Sequence, residues 1–402
     1  MTATWVPVPE GCGFTVDNLP YGVFTPLRFG RPDGLPRVGV AIGEHVLDLA
    51  AMWAGTPLGA DLSTGSLNRL LRRGPREWAY VRTEVRRMLT GSERREFCEH
   101  ALHPLAQVRL HLPFEVADYV DFYASEAHAT NLGRILRPQQ AEPLLPNWRH
   151  LPVGYHGRAG TVVASGAEIP RPCGQLTAGQ FGPSARLDVE AEVGFVVGSG
   201  SERGTPVPTS AFTDHVFGVV LVNDWSARDI QAFEYQPLGP FLGKSFATSL
   251  SPWVVPLAAL EHARIPTPEQ DPEPLPYLRE KEPWGLDLDL EVRLNGHLLS
   301  RPRFRDTYWS PAQLLAHLTV NGASLRTGDL YASGTVSGWG PDERGSLIEL
   351  SWNGQQPLQL PDGERSFLQD GDLVEISASA PGPDGTRISL GAVTGRITPA
   401  RI

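Results

Sequence analysis

Residues 215–249 read HVFGVVLVNDWSARDIQAFEYQPLGPFLGKSFATS, and the fold turns on them. The run 216–222 is uncharged and rich in β-branched side chains, the composition of a buried strand. Asn223-Asp224 ends that run, and the spacing beyond it predicts a helix starting there. At about 3.6 residues per turn, Asp224, Arg228, Gln231 and Tyr235 stack along one face, with Ile230 and Phe233 on the far side. A buried strand would thus deliver a polar stripe of acid, guanidinium, amide and phenol. Lys244 closes the loop that follows, Leu238-Gly239-Pro240-Phe241-Leu242-Gly243. Taken alone, Asp224 as a helix N-cap and Arg228 as its i+4 ion-pair partner account for the same pattern.

Upstream, residues 187–195 (LDVEAEVGF) alternate. On a strand this puts Leu187, Val189, Ala191 and Val193 on one face and Asp188, Glu190 and Glu192 on the other. Same-face neighbours stem from Cα atoms about 7 Å apart, close enough to converge on one cation. Residues 286–294 (LDLDLEVRL) show the same alternation, with Asp287, Asp289 and Glu291 on the polar face. That run enters Asn295-Gly296, a hairpin signal, which points those acids to solvent. Periodicity leaves open which acidic strand holds a metal.

Downstream, residues 333–338 form a glycine-punctuated turn, and residues 346–352 (SLIELSW) read as a strand. Glu349 there lies among apolar neighbours, so it needs an imidazole or a cation as partner. A helical pattern after Ser125 runs until Pro138 stops it, and it carries His128 among Ala129, Leu132 and Ile135. A lone histidine of this kind is commonly a hydrogen-bonded structural residue.

At 402 residues the chain is too long for one ordinary core. Two domains are expected, 1–115 and 116–402, joined near residues 104–113. In the first, residues 37–42 and 45–49 form a hairpin across Gly43-Glu44, and residues 66–73 and 76–89 form helices split at Gly74-Pro75. Arg82, Arg86 and Arg87 are expected on a solvated face. With 42 Gly and 37 Pro the chain is turn-rich and suits short strands. Its 35 basic and 45 acidic residues, net −10, argue against a nucleic-acid partner and permit a cation site. Three scattered cysteines give neither a disulfide framework nor a zinc pattern. MTATWVPVPEGC lacks the pattern of a secretion signal, and no apolar run reaches the ~20 residues of a membrane span. A soluble, cytoplasmic protein is expected. Leu242-Gly243-Lys244-Ser245 imitates the end of a P-loop with the wrong glycine spacing, and no Gly-x-Ser-x-Gly elbow occurs.

Longer motifs narrow the reading. Asp121-Phe122-Tyr123 with His128-Ala129-Thr130-Asn131, then Leu145-Pro146-Asn147-Trp148, then His150-Leu151-Pro152-Val153-Gly154-Tyr155-His156-Gly157-Arg158, resemble the fumarylacetoacetase family. So do Asn223 to Gln231, Pro237 to Phe246, Ala332-Ser333-Gly334-Thr335 and Leu350-Ser351-Trp352. The likeness runs through nearly the whole chain in order. It implies a mainly β fold, with a small N-terminal SH3-like barrel, a larger β-sandwich roll and a homodimer. It implies a hydrolase acting on the carbon–carbon bond of 4-fumarylacetoacetate, the last step of tyrosine and phenylalanine catabolism. By this likeness Asp121, Glu190, Glu192 and Asp224 are metal ligands, with Lys244 and Thr248 at a second position. Tyr123, Arg137, Tyr155, Gln231, Tyr235 and Thr335 would hold the substrate. His128 would be the base and Glu349 its orienting partner, while Arg228, Gln231 and Lys244 face the developing oxyanion. Carboxylates without thiolate or imidazole favour Ca2+ or Mg2+. Other readings are an acylpyruvate hydrolase, a 2-oxo acid decarboxylase, or a silent scaffold.

Overall fold

A computed structural model of the chain describes residues 2–91 and 93–401. It is mainly β. Three strands open it: β1 (Tyr21–Arg28), β2 (Arg37–Ile42) and β3 (His45–Asp48), the last two forming the expected hairpin. Helix α1 (Pro75–Thr90) begins with proline at its first turn and buries Trp78, Val81, Val85 and Met88. Its arginines are not one solvated face. Arg82 is buried and donates to the carbonyls of Asn18 and Asp17, and Arg86 pairs with Asp17, because the loop before β1 leaves those carbonyls unpaired. Of Arg82, Arg86 and Arg87, only Arg87, paired with Glu84, stays in solvent.

The middle of the chain supplies β4 (Asp118–Phe122), α2 (Glu126–Leu136), β5 (Ala191–Val197), β6 (Val216–Asp224), α3 (Arg228–Glu234), β7 (Thr248–Leu250) and β8 (Trp253–Pro256). The last third adds β9 (Asp289–Leu294), β10 (Asp329–Ala332), α4 (Leu347–Leu350), β11 (Leu373–Pro381) and β12 (Arg387–Thr398).

A 14-stranded sheet runs in the order β3-β2-β1-β8-β6-β5-β10-β4 through its centre. A five-stranded sheet carries β12-β11-β9 at its middle. Neither closes, so the expected N-terminal barrel is not found among the described residues. The edge of β1 is taken by β8, pairing Tyr21 with Val254, and the N-terminal strands extend the large sheet.

Alternation along the central strands feeds two cores on opposite faces. Val193, Phe195, Val219, Leu221 and Tyr331 pack with Leu290, Val292, Ile376 and Leu390 of the smaller sheet. Val196, Val220, Val222, Leu330 and Ala332 face the other way, toward Tyr21, Val81 and Val85.

Three local expectations change. The strand β6 runs through Asp224, which pairs with Thr248 of β7, so α3 starts only at Arg228. Sheet pairing there outweighs the helical spacing, and Asp224 does not share a helix with Arg228. Residues 346–352 are not a strand: α4 forms because Asp188 accepts the backbone N–H groups of Leu347 and Ile348 at 2.7 and 3.1 Å, an anion at a helix start. The run 187–195 is interrupted at Val189–Glu190, with Glu190 bridged to Ser346 instead of continuing β5. The second acidic strand meets its expectation: Asp287, Asp289 and Glu291 lie half-exposed among Arg305, Arg387, Arg293 and Arg301.

Candidate active site

Register builds the site. Ala332 of β10 stands opposite both Asp121 of β4 and Gly194 of β5. Paired residues share a face, and so do residues two apart along a strand. Glu192, two before Gly194, therefore shares that face with Asp121. Glu192 pairs with Val222, which puts Asp224, two further on, on the same face. The small side chain of Ala332 leaves the acids on either side room to meet. Ligand oxygens of Asp121, Glu192 and Asp224, all buried, lie within 4.8 Å of one another.

Each acid has different company. Asp224 accepts from Thr248 at 2.9 Å, Lys244 at 2.5 Å and Arg158 at 2.7 Å. Asp121 accepts from the same Arg158 nitrogen at 2.6 Å and from the Tyr155 hydroxyl at 3.0 Å. Among the described residues Glu192 finds no partner for either oxygen, although it is 0% exposed. Burial, then the charges of Asp121, Asp224 and Glu190, push its carboxyl well above the usual range. Burial likewise raises Asp121, with Arg158 opposing. A buried carboxylate lacking any donor is costly unless a cation meets it. The donor set, all carboxylate oxygen, fits a hard cation.

Glu190 borders this triad but turns to fixed cations, accepting from Arg228 at 2.7 Å and from Lys244. Burial would raise its carboxyl; Lys244, Arg228 and His128 outweigh that and hold it well below the usual range. For Lys244, burial is outweighed by Asp224 and Glu190, which raise its ammonium pKa.

On the far side of Glu190, Ser125 caps α2 through the backbone N–H of His128 and turns that side chain inward. His128 Nδ1 lies 2.7 Å from Glu349 Oε2. Glu349 also accepts from Asn131 at 2.9 Å, Ser337 at 2.9 Å and Ser346 at 2.7 Å. Burial pushes Glu349 up, but His128 and these donors prevail and keep it below the usual range. An ionised carboxylate must accept the Nδ1 proton, which leaves Nε2 as the ring nitrogen open to a second partner.

Tyr123 stacks edge-on against His128, ring centroids 5.4 Å apart. Gln231 accepts from Arg228 at 3.2 Å, and Thr335 is buried with an unpartnered hydroxyl. Gly334 takes φ +74°, and a Cβ there would strike the Phe122 carbonyl, so only glycine brings Thr335 this close to β4. Arg137 is engaged at the end of α2 by Gln140 and the Pro143 carbonyl, and Tyr235 is exposed beside Gln236; neither contacts the acids. Sequence alone assigns no role to Arg158 and marks Asp188 only as one of three acids on a strand face. Arg158 ends the HLPVGYHGR run, and Asp188 stands at the head of the first acidic strand.

A mainly β scaffold with a buried three-acid centre beside a carboxylate-held histidine defines a class of site, one that could hold a cation next to an imidazole. Comparisons make this specific. Residues 119–398 match "Fumarylacetoacetate (FAA) hydrolase C-terminal" and residues 17–113 match "Fumarylacetoacetase N-terminal". The chain is 45% identical to the fumarylacetoacetase of Homo sapiens over 420 residues, 99% of each chain, and 44% identical to that of Arabidopsis thaliana over 99% and 98%. Among solved structures, a fumarylacetoacetate hydrolase of Exiguobacterium antarcticum aligns with TM-score 0.56 at 18% identity, covering 95% of this chain and 100% of that one. A maleylpyruvate hydrolase of Sphingobium with manganese and pyruvate aligns at 0.53 and 16%, over 95% and 100%. At such identity they speak for the fold alone. The chain belongs to the fumarylacetoacetase family, hydrolases of carbon–carbon bonds.

Proposed function

We propose that the protein hydrolyses the carbon–carbon bond of 4-fumarylacetoacetate to fumarate and acetoacetate, the last step of tyrosine and phenylalanine breakdown. The observation that carries this reading is the His128–Glu349 pair beside an acid triad whose Glu192 has no partner. It is supported by 45% identity to a fumarylacetoacetase along the full chain.

Asp121, Glu192 and Asp224 would hold calcium or magnesium, with Glu190 at the border and Lys244 and Thr248 orienting Asp224. When bound, such a cation withdraws charge from the oxygens of the 1,3-diketone. His128 Nε2 takes a proton from water while Glu349 fixes the ring and favours the imidazolium. The water oxygen bonds to the carbonyl carbon on the fumaroyl side. The carbon–carbon bond then breaks, its electron pair leaving on the acetoacetate carbon as an enolate, and the imidazolium returns the proton there. Arg228 and Lys244 direct N–H donors toward the oxyanion, with Gln231 beside Arg228. Tyr123, Tyr155, Tyr235 and Thr335 line the substrate, and Arg137 suits its carboxylate.

Family membership also supports a homodimer in the cytoplasm, with residues 116–402 carrying the chemistry. Leu238 and Phe241, 97% and 68% exposed on the loop before Lys244, are the apolar surface a second copy would cover. The test is an assay of the purified protein on fumarylacetoacetate with and without a chelator. Metal-dependent release of acetoacetate is expected; activity confined to short acylpyruvates would overturn the reading.

A further inference from the structure

Arg158 has no place in the chemistry above, yet it lies at the centre of the acid cluster. One of its nitrogens bridges Asp121 and Asp224, two members of the triad contributed by strands that do not touch. Its side chain is 3% exposed. Tyr119 and Tyr155 flank the guanidinium, their ring centroids 4.7 and 5.0 Å from its central carbon. Two aromatic faces and two carboxylates fix its position, and its backbone takes the left-handed φ of +57° that non-glycine residues avoid. This is a permanent positive charge, since a guanidinium is not deprotonated in proteins.

The charges nearby can be counted. Five buried carboxylates, Asp121, Asp188, Glu190, Glu192 and Asp224, face three buried cations, Arg158, Arg228 and Lys244. Among these eight groups the carboxylates outnumber the cations by two, and Glu192, with both oxygens unpartnered, is the one left uncompensated. Without Arg158 the excess would be three. Ionised Glu349, held by His128, adds one further negative charge in either case, so what Arg158 sets is a difference of one.

We infer that Arg158 is a specificity-determining counter-charge, lowering the negative excess of the cluster by one and so shifting its preference toward a divalent cation and away from a trivalent one. The inference rests on the triad being a cation site. It separates the role of Arg158 from a merely structural one: a bracket that only orders Asp121 and Asp224 would alter affinity for all cations alike, whereas a counter-charge alters the ratio between ions of different charge.

The test uses the full-length protein freed of metal. Terbium(III) luminescence, sensitised by the adjacent tyrosines, gives Kd for the trivalent ion, and competition with calcium gives Kd for the divalent one. In Arg158→Gln the ratio is expected to move toward terbium by about tenfold or more. In Arg158→Lys, which keeps the charge and loses the planar fork, it is expected to stay near the native ratio. An unchanged ratio in Arg158→Gln overturns the inference. If circular dichroism finds that variant unfolded, Arg158→Lys decides alone: a tenfold change in its ratio overturns the inference, and a native ratio supports it. Should the native protein bind neither ion, the triad reading itself fails, and this inference with it.

Discussion

Arg228 donates through Nε to Asp188 at 2.8 Å, and the same carboxylate anchors the backbone of Leu347 and Ile348. One buried acid thus joins the guanidinium beside Glu190 to the helix that carries Glu349. Asp188 is not within the triad; it acts by placing others. Asp188→Asn exchanges one acceptor oxygen for an NH2 group facing N–H donors and leaves Arg228 with half its compensation. Breaking a buried pair in this way should cost on the order of 3 kcal/mol or more. Calorimetric melting should show the drop, and kcat should fall at least tenfold with a smaller change in KM. Native kcat in Asp188→Asn would remove the proposed link.

The base pair predicts its own kinetics. His128→Ala should lower kcat by roughly 10²–10⁴, the usual contribution of a general base. Glu349→Gln keeps the volume but cannot accept from His128, Asn131, Ser337 and Ser346 at once. Its kcat should fall about 10² or more while circular dichroism stays native. Retained turnover in either variant would assign the proton transfer elsewhere.

Much of this site was legible in sequence because the motifs are long. Asp121, His128, Asp224 and Lys244 stand in continuous runs that point to the family without any geometry, and Glu349 directly precedes another. Alternation in residues 187–195 also held, since Leu187, Val189, Ala191 and Val193 all reach one core. The failures share a cause, contacts made far along the chain. Helical spacing from Asp224 was overridden by pairing with Thr248, and the apparent strand at 346–352 became a helix because Asp188 caps it from 159 residues away. Arg82 looked solvated because the carbonyls of Asp17 and Asn18 that bury it lie 65 and 64 residues away. Local period does not report such partners. Glu190 and Glu192 are indistinguishable in the pattern, yet one is saturated by cations and the other bare.

Glu192 therefore supports a thermodynamic prediction with a definite sign. Its carboxyl pKa is raised in the folded, metal-free protein, so ionising it at neutral pH opposes folding. Glu192→Gln removes that cost, and the metal-free variant should melt above the metal-free native protein at pH 8. Saturating calcium or magnesium should stabilise the native protein by about 2.7 kcal/mol at 100 times Kd. The variant should lose most of that increment. Equal metal-induced shifts in both would exclude Glu192 as a ligand.

A second up-shifted acid, Glu280, lies outside the catalytic machinery. Burial pushes its carboxyl to about 7, against hydrogen bonds from Ser310 and the Trp284 backbone and the charge of Arg264. The folded protein thus holds a proton on Glu280 between pH 4.5 and 7 that the unfolded chain releases. Stability must fall as pH rises through that window, because the unfolded state binds fewer protons there, and the loss is complete above pH 7. The difference is worth about 3 kcal/mol. Glu280→Gln keeps an acceptor for Ser310, which caps the helix Pro311–Thr319, and cannot ionise. Denaturant unfolding at pH 5 and pH 8 should therefore show a larger loss for the native protein than for the variant, with the variant the more stable of the two at pH 8. Parallel pH profiles for the two proteins would mean that Glu280 is already ionised in the fold at pH 5.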